Sequence, residues 1–185
     1  MKKLIMKKII LIALSFNCVV SFSQETEFTF TKNGITDFVV TKIENKSQAE
    51  LYKKTLDWIE INYKNPKEVL KGQVENEYIR IEGIEVNLFC LNTSLCQNMK
   101  YQIEISFKEA KYKIDIIALD QDMPELGWVH FNGLEDGSFY FNNKGDVKPK
   151  FKIFAEEIPK FFNKINKSIS EYLVNGNLKN KKNDW

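Results

Sequence analysis

His130 is the only histidine in the 185 residues, and it is the one side chain suited to general-base chemistry near neutral pH. A single imidazole excludes any multi-histidine metal centre. Acids from the 120–136 segment could accompany it, and His130 with such a carboxylate would suit a hydrolase. Asp120, Asp122 and Glu125 offer oxygens of the kind calcium takes, but the ordered glycine and further ligands of an EF-hand loop are missing. The plainer reading is solvated loop carboxylates. There is no G-x-S-x-G elbow and no glycine-rich phosphate loop. Aromatic residues gather around the histidine: Trp128, Phe131, Phe139, Tyr140 and Phe141. Aromatics on a loop-rich segment can bind a ligand or a partner, and they can equally close one end of a core. Trp128, His130, Phe139 and Tyr140 are the candidate binding cluster. The residues support no catalytic set, no metal site and no cofactor.

The cysteines bear on compartment. Lys2, Lys3, Lys7 and Lys8 precede the apolar run Ile9–Val20, which is too short for a bilayer span of about 20 residues. Small residues follow at Ser21 and Ser23. This is the pattern of a cleaved secretory signal over residues 1–23, with Gln24 as the first mature residue. Asn17 before Cys18 does not suit a lipid-modification site. Cys90 and Cys96 remain after cleavage, and in an oxidising compartment they are read first as a disulfide, with two buried thiols as the alternative. The full chain carries 27 basic and 25 acidic residues, a net charge of +2. Four of the bases and none of the acids lie in the signal, so the mature chain is slightly acidic. Such a surface offers no footprint for nucleic acid and no polybasic patch for a membrane, which it would meet only through the signal before cleavage.

The elements that position these groups centre on Met99–Leu119. The stretch reads as a hairpin with a two-residue turn at Glu109-Ala110. That register places Phe107 opposite Tyr112, Ile105 opposite Ile114, Ile103 opposite Ile116 and Tyr101 opposite Ala118, all on one face. Lys108 with Lys111, Ser106 with Lys113, Glu104 with Asp115 and Gln102 with Ile117 take the other. A slip by one residue would exchange the faces. A strand over about Glu77–Glu82, with Cys90 as its furthest extent, extends this pattern. Setting Cys90 opposite Cys96 brings Ile81 opposite Ile105 and Ile79 opposite Phe107. Ile84, Val86 and Leu88 then point to the polar side, unless a bulge near Gly83 redirects them or something covers that end.

Before this hairpin, residues 28–43 hold a short strand, a turn at Asn33-Gly34 and a strand through Phe38–Ile43. Ser47-Gln-Ala-Glu50 is a capping box that starts a helix, and Asn65-Pro66 ends it. Its Tyr52, Thr55, Leu56, Ile59 and Tyr63 share one side at helical spacing. After Leu119 the pattern is turn-rich, with residues 127–132 and 138–142 forming a second small hairpin. From Phe151 a long apolar stripe runs to Leu173, and Pro159 should kink that helix or split it in two. Residues 24–175 make one α+β domain, a two-layer sandwich in which two helices cover the apolar face of an antiparallel sheet. Residues 176–185 are a polar, disordered tail.

The order of these elements resembles a known family. Gly34-Ile-Thr-Asp-Phe-Val-Val40, then Ser47 with Glu50-Leu-Tyr52, then Trp58-Ile59, is similar to the start of a secreted bacterial domain of unknown function with a TBP-like fold. The Val74–Gly83 strand and the Phe107–Tyr112 turn resemble it too, and the likeness spans about residues 28–120. It implies a curved antiparallel sheet packed on one face by two helices. It brings no activity and no catalytic residues. Glu109-Ala110 departs from the glycine-bearing turn of the family, which leaves a loop longer than two residues open. The DNA-binding use of the open face in the TATA-binding fold does not transfer, because fold does not fix function. The exposed face here mixes Lys108, Lys111 and Lys113 with Glu104 and Asp115.

The first functional expectation is therefore a secreted or periplasmic non-enzymatic domain that binds a protein or small ligand. The rival is a hydrolase using His130 and loop carboxylates. A third reading has the open sheet face dock on a larger envelope assembly.

Overall fold

The computed structural model describes residues 27–92 and 95–176. The signal segment, its cleavage point after Ser23, Cys18 and the tail beyond Gly176 lie outside the described residues.

Six strands form one antiparallel sheet: β3 (Phe38–Lys42), β4 (Leu70–Val74), β5 (Tyr78–Asn92), β6 (Leu95–Lys108), β7 (Lys111–Met123) and β8 (Gly127–His130). The order is β3-β7-β6-β5-β4, and β8 pairs with the far end of β7. Two short strands, β1 (Phe30–Thr31) and β2 (Gly34–Ile35), form a separate ribbon. Helix α1 (Gln48–Asn62), a single turn α2 (Pro66–Val69) and the long α3 (Lys152–Asn175) complete the fold. The helices α1 and α3 pack against each other and on the same face of the sheet.

The central hairpin keeps the expected register from Lys108↔Lys111 through Ile103↔Ile116. Beyond that point it departs: Gln102 faces Ala118 and Tyr101 faces Leu119, so Ile117 is the extra residue of a bulge. The bulge carries Ile117 to the surface and brings Leu119 and Tyr101 into the core together. The turn is a two-residue loop after all. Ala110 adopts φ 56°, a left-handed conformation that costs a residue with a Cβ about 1–2 kcal/mol. Its neighbours hold it there, since its N–H donates to Lys46 O at 3.0 Å and its carbonyl accepts from Ile43 N at 2.9 Å. Glu109 also accepts from Gln48 N at 3.3 Å, at the start of α1. The capping box of α1 forms as read, with Ser47 Oγ accepting from Glu50 N and Glu50 Oε2 from Ser47 N.

The β5–β6 pairing corrects a second expectation. Cys90 faces Cys96 and the two are disulfide-bonded, but Ile79 faces Ile105 and Ile81 faces Ile103. Two residues are gained between Glu85 and Phe89, where Asn87 takes φ 54° and donates its N–H to Asn98 Oδ1. The irregularity thus sits at Val86–Leu88 rather than Gly83. It leaves Ile84 and Val86 exposed while Phe89 turns into the core against Phe154. At Gly83 itself the Tyr101 ring lies where a Cβ would be, so this cross-strand position needs glycine.

The segment after Leu119 is strand rather than loop: β7 runs on to Met123, and β8 folds back on it through a turn with Glu125 and Gly127 at positive φ. No hairpin joins 127–132 to 138–142, because 138–140 is a 3₁₀ turn. Helix α3 is one helix through Pro159, not two. Pro159 is buried with Phe154, Ile158, Phe162, Ile165, Ile169 and Leu173, and that burial offsets the lost backbone bond. Polar pairs tie the layers together. Tyr112 Oη donates to Asn166 Oδ1 at 2.7 Å, Trp58 Nε1 donates to Ser168 Oγ at 3.0 Å, and Tyr63 and Tyr101 share a hydroxyl bond of 2.9 Å. Burial raises the pKa of both Tyr63 and Tyr101.

Candidate functional site

Strand alternation gives the sheet a second face, and neither long helix lies on it. The pairing lays its residues out in rows. Across one end run Ile84, Lys100, Asp120 and His130, each opposite the next on β5, β6, β7 and β8. Lys100 Nζ sits 3.0 Å from Asp120 Oδ2 and 5.4 Å from the Trp128 ring centroid. His130 Nε2 is 2.9 Å from Glu135 Oε2, and its Nδ1 is 3.9 Å from Asp120 Oδ1. Asp122, opposite Trp128, accepts from Asn98 Nδ2 at 3.1 Å. Ile84 and Trp128 stand 54% and 39% exposed beside these charges.

The middle row runs Arg80, Glu104, Asp115 and Phe38. Arg80 Nη2 bonds Glu104 Oε2 at 2.7 Å, and Lys113 bonds Asp115 Oδ1 at 2.9 Å while lying over the Phe38 ring. The third row, at the hairpin end, runs Lys108, Lys111 and Lys42.

The aromatic cluster of the sequence does not hold together. Trp128 and His130 lie on the open face. Tyr140, with Phe131 and Phe141, is buried in the helix-side core, where it packs on Phe30 and Phe154. Phe139 is 63% exposed and rests against Phe151, with Lys148 and Lys150 over its ring. Asp120 and Asp122 are strand residues with partners, not loop carboxylates. Lys100 and Glu135, which the linear sequence did not single out, complete the row around His130.

The chemistry open to His130 follows from this geometry. A nucleophilic pair needs a hydroxyl or thiol on one ring nitrogen and a carboxylate orienting the other. Here both nitrogens look toward carboxylates, and the group within hydrogen-bond reach is Glu135. The imidazole stands half exposed on an open surface. Among the described residues no three His, Cys, Asp or Glu side chains converge as metal ligands. The row is an ion-pair ladder with an aromatic beside it.

A six-stranded antiparallel sheet with both long helices on one face defines a TBP-like α+β fold. The comparisons agree. Residues 38–120 match the family described as a domain of unknown function (DUF4468) with TBP-like fold. The crystal structure of a DUF4468 family protein from Bacteroides ovatus ATCC 8483 is similar with a TM-score of 0.64 at 14% identity, over 76% of this chain and 86% of that one. A TBP-like protein from Parabacteroides distasonis ATCC 8503 is similar with a TM-score of 0.56 at 16% identity, over 76% of this chain and 92% of that one. Likeness at these identities shows the fold alone. No curated protein matches the chain.

Proposed function

We propose that this is an extracytoplasmic, non-enzymatic binding domain that receives a protein partner on the open face of its sheet. The observation that carries the reading is the exposure of Ile84 and Trp128 beside the Lys100–Asp120–His130 row on a face that neither long helix covers. Exposed apolar anchors next to charged groups are what a protein interface uses for affinity and for register. The Cys90–Cys96 disulfide and the signal-like N-terminus support an oxidising compartment, and no helix among the described residues is long and apolar enough to cross a membrane. The hydrolase alternative has a histidine and carboxylates together, but the ring meets a second carboxylate where a nucleophile would be needed.

Crosslinking in the native envelope, followed by capture and mass spectrometry, tests the proposal. Wild type and Phe139→Asp should retain the same partner, whereas Ile84→Asp and Trp128→Ala should lose it. Equal capture by all four proteins contradicts the assigned face. An intact mass beginning at Gln24 supports the compartment, and a retained N-terminus contradicts it.

A further inference from the structure

The hairpin end of the open face carries a separate feature that does not depend on the partner proposed above. Lys111 on β7 lies directly opposite Lys108 on β6 and directly opposite Lys42 on β3. Like charges facing each other across strands are unfavourable, with facing Cβ atoms only about 5 Å apart. Ordinary surfaces relieve this with interleaved acids, as the middle row does with Arg80–Glu104 and Lys113–Asp115. Among the described residues no carboxylate forms an ion pair at the hairpin end. Asp115 is engaged by Lys113, and Glu109 turns away to accept the Gln48 amide at the start of α1. Lys42, Lys108 and Lys111 make no ion pair among the described residues.

Lys108 and Lys111 border a hollow. A cavity of about 390 Å³ lies at this end, lined by Val40, Ser106, Lys108, Lys111, Tyr112 and Lys113. Its volume is in the range of about 300–1,000 Å³ typical of small-ligand sites. Ser106, opposite Lys113, supplies a neutral hydroxyl between the charges. An ammonium group offers three donors and no acceptor, so this lining recognises oxygens carrying negative charge. We infer that the hairpin end of the open face binds a small multivalent oxyanion, a compound bearing two or more phosphate or sulfate groups. One such ligand would bridge the facing lysines and remove their repulsion at the same time.

Titration calorimetry of the full chain in low salt tests this, with inorganic tripolyphosphate and sucrose octasulfate as separate probes for the two oxyanion types. Saturable one-site binding is expected for at least one of them. The Lys108→Ala/Lys111→Ala variant should bind about tenfold more weakly or worse, as loss of charge-assisted contacts implies. Lys152→Ala/Lys167→Ala removes the same charge from the exposed side of α3 and should bind like wild type. Melting temperature guards against misfolding. Without ligand, the hairpin variant should melt at or above the wild-type temperature, and the bound probe should raise only the wild type and the α3 variant. Absence of saturable binding by both probes overturns the site. So does an equal loss in both variants, and so does a short oligothymidylate binding more tightly than either probe.

Discussion

The two faces of one sheet are built from alternate residues of the same strands, yet they obey different rules. On the helix side Ile79, Ile81, Ile103, Ile105 and Ile114 are fully buried, and each touches neighbours that cannot move without opening a cavity. On the open side Arg80, Glu104, Lys113 and Asp115 meet water and one another. The first face holds the molecule together. The second contributes little to stability, because exposed ion pairs are worth about 0–1 kcal/mol each. Its residue choices are less constrained by packing, and the face displays Phe38, Ile84 and Trp128, on which the proposed contact rests.

Several substitutions break or sharpen the contrast. Phe162→Ala on α3, which removes a ring packed on Phe28 and Tyr101, should cost about 3–5 kcal/mol in denaturant unfolding. Loss of the disulfide comes next. Cys90→Ala/Cys96→Ala should cost about 2 kcal/mol, the entropic value for so short a loop. The mature wild-type protein should correspondingly show no alkylatable thiol when denatured without reductant. Ala110→Gly should gain about 1 kcal/mol, since glycine adopts φ 56° without the steric cost. Glu104→Gln on the open face should change stability by less than about 1 kcal/mol.

Alkaline titration separates the faces by another route. Burial raises the pKa of Tyr63 and Tyr101, so the folded state holds their protons more tightly than the unfolded chain. Stability is then complete below the ordinary tyrosine value of about 10 and falls as pH rises above it. Tyr63→Phe should blunt that fall, as measured by the denaturation midpoint across the alkaline range.

The closed half of the sheet was legible in the sequence because strict alternation from Ile103 to Lys108 and Lys111 to Ile116 admits one register. Legibility ended at the bulges. Ile117, Ala118 and Leu119 are all apolar, so nothing in the residue types marks Ile117 as the one pushed out. Asn87 carries its left-handed turn through a side chain that is also common in ordinary loops. Strand β4 was invisible because Leu70–Val74 is an edge with glycine at its centre and a bulge of its own. The partner of 127–130 could not be read from its own pattern, and pairing with β7 rather than with 138–142 is what parts Trp128 and His130 from Tyr140. The open-face rows around Lys100 and Lys111 depend on three strands meeting, which local spacing does not encode.

Hydroxyl-radical footprinting of the full chain, read residue by residue by mass spectrometry, tests the two-faced sheet most directly. Phe38 and Trp128 should oxidise rapidly, while Phe162, Tyr112 and Trp58 should be strongly protected. Protection of Phe38 and Trp128 to the level of Phe162 would mean that the open face is covered, and would contradict the account.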